Sequence, residues 1–421
     1  MKYKAWKRGI VLILLVLTAC DQSLDTDSVY YEESSDTDSD SDTVYTVYLH
    51  PNGGSEDTVT ITTESTNYTI PTNTFSKTAY SFTGWNYQSD GSGVSCSEGD
   101  QIVLDEDEIN LYAQWSLNSY SITFDANGGS GSMDNITIAA NSSSTISDNE
   151  FTYEHNTFNS WNTSADGTGT SYEEGDSYTI GSSDITLYAQ WDKIYFKSEW
   201  SVLAADGNTL NIPFAYNGNY DFEVDWGDGD IETITTDSID DNAIEHFYDS
   251  EGNYTVLIYG TVEGFGYPCS EDSSEPLLGS LVDVTDWGDI QFHNYGYQFS
   301  ESTVASFSAS NVPDMSQITN ISNMFSCCEY FNGDISAWDT SNIKDMEAMF
   351  KEAISFNGDI SDWDTSSVTD MSDMFSDASS FNCGGISIST WEWNVDSVTD
   401  FDGMFEGSLL EGDEPDWYEE S

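Results

Sequence analysis

The dipeptide Met-Phe recurs at Met324-Phe325, Met349-Phe350, Met374-Phe375 and Met404-Phe405, at intervals of 25, 25 and 30 residues, and no other feature limits the fold as tightly. Other positions repeat in step. Phe331-Asn332 returns as Phe356-Asn357 and Phe381-Asn382, Asp334-Ile335-Ser336 as Asp359-Ile360-Ser361, and Trp338-Asp339-Thr340 as Trp363-Asp364-Thr365; Asp345-Met346 is followed by Asp370-Met371 and Asp400-Phe401. A unit this short cannot bury its own apolar face, whereas stacked copies share one continuous core, so residues 321–407 are expected to form a short solenoid. The third interval carries five extra residues around Cys383 to Trp393, which leaves either Trp391 or Trp393 in the Trp column.

Stacking has consequences that the side chains must meet. If neighbouring coils pair as parallel strands about 4.8 Å apart, Asp339 lies over Asp364, and Asp345 over Asp370 and Asp400. Such columns must be solvated, bonded to turn amides, or bridged by cations; turn capping is the simplest of these. Asn332, Asn357 and Asn382 are placed to form a side-chain ladder to buried backbone groups. Cys328 shares its position with Ala353 and Ala378, and Cys383 with Gly333 and Gly358, two coils away. That is about 10 Å, beyond the roughly 7 Å limit between the Cα atoms of a disulfide, so no bridge is expected between them.

These units resemble the BspA-type leucine-rich-repeat surface proteins over about residues 320 to 405. The resemblance implies a surface solenoid used for attachment to other cells or to extracellular matrix. Residues 266–320, with Trp287-Gly288 and Phe299, read as a connecting and capping region, and 408–421 as an acidic tail.

A second repeat precedes this one. Tyr45 to Trp115 and Tyr120 to Trp191 align with an offset of 75, then 76: Asn52-Gly53-Gly54 with Asn127-Gly128-Gly129, Phe82 and Trp85 with Phe158 and Trp161, and Leu111 to Trp115 with Leu187 to Trp191. Alternation such as Ile122 and Phe124 against Thr123 and Asp125, running into Asn-Gly-Gly, predicts a strand followed by a tight turn. Both copies, residues 44–116 and 118–192, resemble the Listeria-Bacteroides repeat, also called the internalin B repeat, which implies a compact β-grasp-like unit serving as a spacer or binding module. The Trp and Phe positions read as core, and Cys96, aligned with Tyr172, as a half-buried structural position. Two departures stand out: His50-Pro51 replaces the usual Asp-Ala, and Ser160 replaces the Gly before Trp, which bears on packing around Trp161.

Residues 194–265 continue the two-residue period, with Phe222, Val224 and Trp226 on one face and Asp221, Glu223 and Asp225 on the other, as expected of a half-buried antiparallel strand. Trp226-Gly227-Asp228-Gly229-Asp230, followed by His246-Phe247-Tyr248 and Gly252-Asn253-Tyr254-Thr255-Val256, resembles the polycystic kidney disease (PKD) domain, an immunoglobulin-like β-sandwich. Asp225, Asp228 and Asp230 invite calcium, because hard carboxylate oxygens on a turn suit that ion. A turn that needs no ion, with each Asp bonding its own backbone, is the simpler reading. The four histidines, His50, His155, His246 and His293, show no metal-ligand spacing, and His246 reads as packed structure.

The start of the chain has its own signature. Lys2, Lys4, Lys7 and Arg8 precede an apolar run from Ile10 to Leu17, which describes a secretory signal too short for a comfortable membrane span. Leu17-Thr18-Ala19-Cys20 resembles the lipobox of bacterial lipoproteins, which implies acylation of Cys20 and removal of residues 1–20 short of that cysteine. The acyl chains would anchor by about 0.8 kcal/mol per buried CH₂. Residues 21–43, with Asp36, Asp38, Asp40 and Asp42 alternating with Ser and Thr, read as a self-repelling tether.

Charge then narrows the partners. The 421 residues carry a formal net charge of -67, and loss of the basic leader would deepen it to -71. A polyanion of this size repels phosphate backbones, so nucleic acid is excluded as a partner. With no G-x-S-x-G, H-E-x-x-H or P-loop, no enzyme is expected and no cofactor is required. The sequence therefore predicts a multi-domain, mainly β protein of the cell envelope: two β-grasp-like modules, a sandwich and a 25-residue-period solenoid. It would be lipid-anchored, exposed on the outer surface and non-enzymatic, adhering to a host, matrix or neighbouring-cell protein or glycan. A carbohydrate-binding accessory to secreted polysaccharide hydrolases, or a spacer without a specific ligand, are the alternatives.

Overall fold

A computed structural model describes residues 43–215, 218–236, 243–266, 280–385 and 393–418. Cys20, the expected signal and tether, and Trp391 lie outside them. The described chain is mainly β and falls into two compact units. One comprises the residues up to Asn127 with Ser132–Glu150 and Ser160–Ala189; the other comprises Gly128–Gly131, Phe151–Asn159 and everything from Gln190.

The two aligned modules build the same strand order. In the first, β1 (Tyr45–His50), β2 (Val59–Thr63), β3 (Asn67–Thr69), β4 (Tyr80–Asn86), β5 (Ser95–Cys96), β6 (Gln101–Val103) and β7 (Glu108–Leu117) give a sheet of order β2-β1-β7-β4-β5 beside a β3-β6 pair. The second uses β8 (Ser119–Asp125), β9 (Ile136–Ala139), β10 (Ser143–Thr145), β11 (Asn156–Asn162), β12 (Ser171–Tyr172), β13 (Ser177–Thr179) and β14 (Ile185–Lys193) in the equivalent order β12-β11-β14-β8-β9. Trp85 and Trp161 are fully buried, and the residues they pair with across the sheet are Cys96 and Tyr172, as the alignment requires. Cys96 is more buried than expected, at 4% exposure. Ser160 is itself buried and leaves Trp161 without exposed surface, so the lost glycine is absorbed.

The Asn-Gly-Gly turns owe as much to asparagine as to glycine. Asn52 and Asn127 are themselves left-handed, at φ 50 and 48. Each amide clamps two carbonyls: Asn52 Nδ2 donates to Ser89 and Ala113, and Asn127 Nδ2 to Ala165 and Ala189.

In the second unit, β15 (Phe196–Val202), β16 (Thr209–Pro213), β17 (Tyr220–Asp225), β18 (Ile231–Thr235), β19 (Ala243–Phe247), β20 (Gly252–Phe265), β21 (Leu281–Asp286) and β22 (Gln291–Phe292) follow in chain order. The main sheet runs β18-β17-β20-β15-β21 with β22 beside β20, and β16 pairs with β19 apart from it. Leu210 and Ile212 from one sheet share a core with Phe222, Val224 and Val256 from the other. The sequence boundary at 265 cuts through this fold, because β21 and β22 complete the main sheet. Gly288, at φ +55, permits the close return of the chain, since a Cβ there would lie 2.6 Å from Phe196 N.

From Tyr297 onward the 25-residue units stack, and the stack begins one unit earlier than the Met-Phe pairs mark. Tyr297, Phe299 and Glu301 donate backbone N–H to Ser322, Met324 and Ser326; Asn323, Phe325 and Cys327 to Glu347, Met349 and Lys351. Ala348, Phe350 and Glu352 then bond Ser372, Met374 and Ser376, and Asp373, Phe375 and Asp377 bond Asp402, Met404 and Glu406. The expected extended strands are absent from the described coils. Among the described coils parallel pairing survives as single bridges, Gln291 to Asp314 and then Asn320, Asp345, Asp370 and Asp400 in turn, because each Met-Phe stretch is a turn flanked by left-handed residues, Ala348 at φ 51 and Glu352 at φ 59 among them. Coil spacing is accordingly that of stacked rings. Phe325, Phe350, Phe375 and Phe405 follow one another at 5.7 Å, with interplanar angles of 8°, 2° and 11°.

A second column, Phe331, Phe356 and Phe381, lies beside the first at 4.1, 3.9 and 3.8 Å. One cluster of buried side chains runs without a break from Phe196 to Leu410. The sheets of β15–β22, the connector and the coils therefore share one core, in which Trp287 meets Phe196, Phe292, Phe307 and Trp338. The segment read as an acidic tail is structural too: Trp417 and Tyr418 pack on Phe401 and Phe405 and close the far end of the stack.

Candidate functional site

The acidic turn between β17 and β18 is the first place where chemistry-bearing groups meet. Gly227, at φ +80, makes the turn, and a Cβ there would lie 2.4 Å from Thr255 O. Asp225 Oδ1 accepts the Gly227 N–H at 2.9 Å, and Asp228 Oδ1 accepts the Asp230 N–H at 3.0 Å. Both are side chains bonding their own turn, the ion-free role open to them.

His246, from β19, joins this turn, and its position in the sequence gave no sign of it. Its Nε2 lies 2.8 Å from Asp228 Oδ2. The ring lies flat on Trp226 at 4.6 Å and edge-on to Tyr248 at the same distance, and it is 6% exposed. Partial burial works against the charge of Asp228, yet the bonds from His246 and the Asp230 amide hold its carboxyl below the ordinary range. Burial also pushes the Tyr248 hydroxyl well up, and it donates to Trp226 O at 3.0 Å. Asp228, Asp230 and His246 each present a ligand atom within 4.8 Å of the others. Asp225 is outside that group. An open cavity of about 410 Å³, lined by Asp228, Asp230, Phe247, Asp249 and Tyr254, leads to it.

The aspartate columns of the coils are capped by turn amides. Asp339 and Asp364 accept from Ser341 and Ser366 N–H, and Asp345, Asp370 and Asp400 from Glu347, Ser372 and Asp402 N–H. Serine bonds hold Asp334, Asp339 and Asp364 below the usual carboxylate range. Asp345 goes the other way, raised by burial and by Asp370 beside it; Glu347 is raised for the same reasons. The asparagine ladder is present: Asn332 Oδ1 accepts Asn357 N–H at 2.8 Å, and Asn357 Oδ1 accepts Asn382 and Gly384 N–H at 2.9 and 3.0 Å. Cys328 and Cys383 are both free and buried, and burial pushes their thiols up, to about 12 and about 11.

On the first module, the His50 departure builds something its repeat lacks. His50 stacks on Tyr112 at 4.4 Å and on Tyr48 at 6.2 Å, held by Thr58 and Asn110. Thr123 and Asp125 hold the matching positions in the second module.

Comparison with known proteins finds the repeat system that comes first in the chain and a separate family over the coils. The Listeria-Bacteroides repeat domain matches residues 45–114 and 120–190, and the family described as "Mycoplasma protein of unknown function, DUF285" matches 294–417. The latter begins where the stacked coils do. The chain is thus a repeat-containing protein carrying two Listeria-Bacteroides repeats and one DUF285 region. It is similar to two proteins of Evansella cellulosilytica. One is named as a candidate Gly-rich membrane protein, 36% identical over 54% of this chain and 25% of that protein. The other is named as a candidate membrane protein, 37% identical over 35% of this chain and 22% of that protein. The chain thus spans about a quarter of the length of these relatives. No solved structure matches.

Proposed function

We propose that the chain is a non-enzymatic, lipid-anchored protein of the bacterial cell surface that displays its coil stack for adhesion to a protein or glycan of a host, a matrix or a neighbouring cell. The observation that carries this reading is the rigid stack itself. The coils bury their Phe, Met and Trp side chains in a shared core whose Phe325, Phe350, Phe375 and Phe405 rings repeat at 5.7 Å, and carry Asp and Ser caps on their turns. Such a face suits multivalent display better than it suits chemistry. The finer reading treats the stack as a BspA-type solenoid, the sandwich as a PKD-like domain and Cys20 as the acylated residue. The envelope location is supported by the naming of the relatives as membrane proteins and by the basic, apolar, Leu-Thr-Ala-Cys start.

The test is to express the full chain and its Cys20→Ser variant in cells fed a labelled fatty acid, then shave intact cells with protease. Labelling lost in the variant, shaving of the wild type, and cell adhesion lost on deletion of residues 194–421 are expected. Protection from protease on intact cells would refute surface exposure. The deletion must start ahead of β15, since a cut at 320 would bare Phe299 and Phe307. One observation favours the carbohydrate-binding alternative: the half-exposed Tyr48, His50 and Tyr112 strip, whose flat rings suit sugar faces. Binding to soluble polysaccharide that falls with Tyr112→Ala would select it.

A further inference from the structure

We propose that Asp228, Asp230 and His246 bind a divalent first-row transition ion of the zinc class. The donor set is mixed. Calcium takes six to eight oxygens, and an imidazole nitrogen at the centre of a small set argues against it, whereas nitrogen with carboxylate suits zinc and its neighbours. The geometry is near what a tetrahedral centre needs. With bonds of about 2.0–2.2 Å, ligand atoms lie roughly 3.4 Å apart; here Nε2 and Asp228 Oδ2 are 2.8 Å apart, and all three ligand atoms fall within 4.8 Å. A small opening of the His-Asp contact would seat the ion.

The surroundings fix the ligands in place. His246 is clamped between the face of Trp226 and the edge of Tyr248, so its ring cannot turn away. Asp228 spends Oδ1 on the Asp230 N–H, which leaves Oδ2 to the ion. The cavity supplies an entry path, room for water in the remaining positions and a further carboxylate in Asp249. Asp225 takes no part, because it is not among the residues whose ligand atoms fall within 4.8 Å of one another. The site therefore differs in both membership and metal from the three aspartates that the sequence offers to calcium.

A chain with 76 acidic residues collects divalent ions loosely all over its surface, so the test must single out this site. Zinc is titrated into the full chain by calorimetry in millimolar calcium and magnesium, with the side-chain nitrogens of the four histidines followed by NMR. One zinc per chain, with the His246 imidazole alone perturbed, is expected. His246→Gln abolishes this binding. Because His246 is buried, Asp230→Asn at an exposed position is the variant certain to fold, and it weakens zinc at least about tenfold; Asp225→Asn leaves affinity unchanged. Zinc binding that leaves the His246 signals unmoved, that survives Asp230→Asn undiminished, or that millimolar calcium displaces overturns the proposal.

Discussion

Truncating Phe350 to Ala tests whether the second unit is one body. Phe350 has no exposed surface, and its ring meets Phe325 and Phe375 at 5.7 Å, Phe356 at 3.9 Å and Trp363 at 6.3 Å. Removing a buried Phe costs about 3–5 kcal/mol, with the upper end where the site cannot collapse. Collapse is blocked here, because the coils on either side are held apart by backbone bonds from Phe325 N to Met349 O at 2.8 Å and from Phe350 N to Met374 O at 2.9 Å. Ring pairs contribute about 0.5–1.5 kcal/mol beyond burial, so we expect a loss near 5 kcal/mol. The assay is urea denaturation followed by hydrogen exchange, read separately for coil peptides and for β17 and β20. If the core from Phe196 to Leu410 is continuous, both lose protection together. Coil peptides that open in Phe350→Ala while β17 and β20 keep wild-type protection would refute a single body.

Three further outcomes are expected. Asp345 and Glu347 have folded-state pKa values raised above the unfolded ones, so their stabilising contribution is full below about pH 4 and drains as pH rises through the raised values. The lowered Asp334, Asp339 and Asp364 oppose this, their contribution being lost only as pH falls through values below the ordinary range. The melting temperature of the second unit therefore falls as pH rises above the ordinary carboxylate range of about 4, and Asp345→Asn flattens that slope. Asn357→Ala removes the acceptor of the half-buried Asn382 N–H and of the exposed Gly384 N–H, which water can satisfy, and costs about 1 kcal/mol by denaturant titration, whereas Asn357→Asp, which keeps the oxygen, costs less. Trp417→Ala uncovers Phe405 and Phe401, so faster hydrogen exchange confined to the last coil is expected.

Periodicity made the repeats legible at the level of single residues. The alignment of Trp85 with Trp161 and the Asn332, Asn357, Asn382 ladder both follow from spacing alone, because identical positions in stacked or duplicated units must find identical neighbours. The first coil escaped because Phe299 lacks the Met before it and shares only its ring with the rest. The conformation of the coils escaped as well: left-handed Ala348, Glu352 and Asp377 carry none of the glycine that usually marks such backbone. Of the candidate site, Asp228 and Asp230 were visible as a turn motif. His246 was not, since it reaches them only through the packing of β19 onto Trp226, a tertiary fact with no local signal. Trp417 and Tyr418 were hidden by the acidic residues around them.

The stacked rings make the length of this protein a free variable. Each interior coil offers the same backbone donors on one face and the same acceptors on the other, and both ends are sealed by dedicated aromatics, Trp287 and Trp417. A duplicated 25-residue unit inserted between Phe350 and Phe375 would meet matching surfaces above and below, and would lengthen the stack by one step of 5.7 Å while leaving both seals intact. The reach of the stack thus follows from the number of 25-residue units it contains.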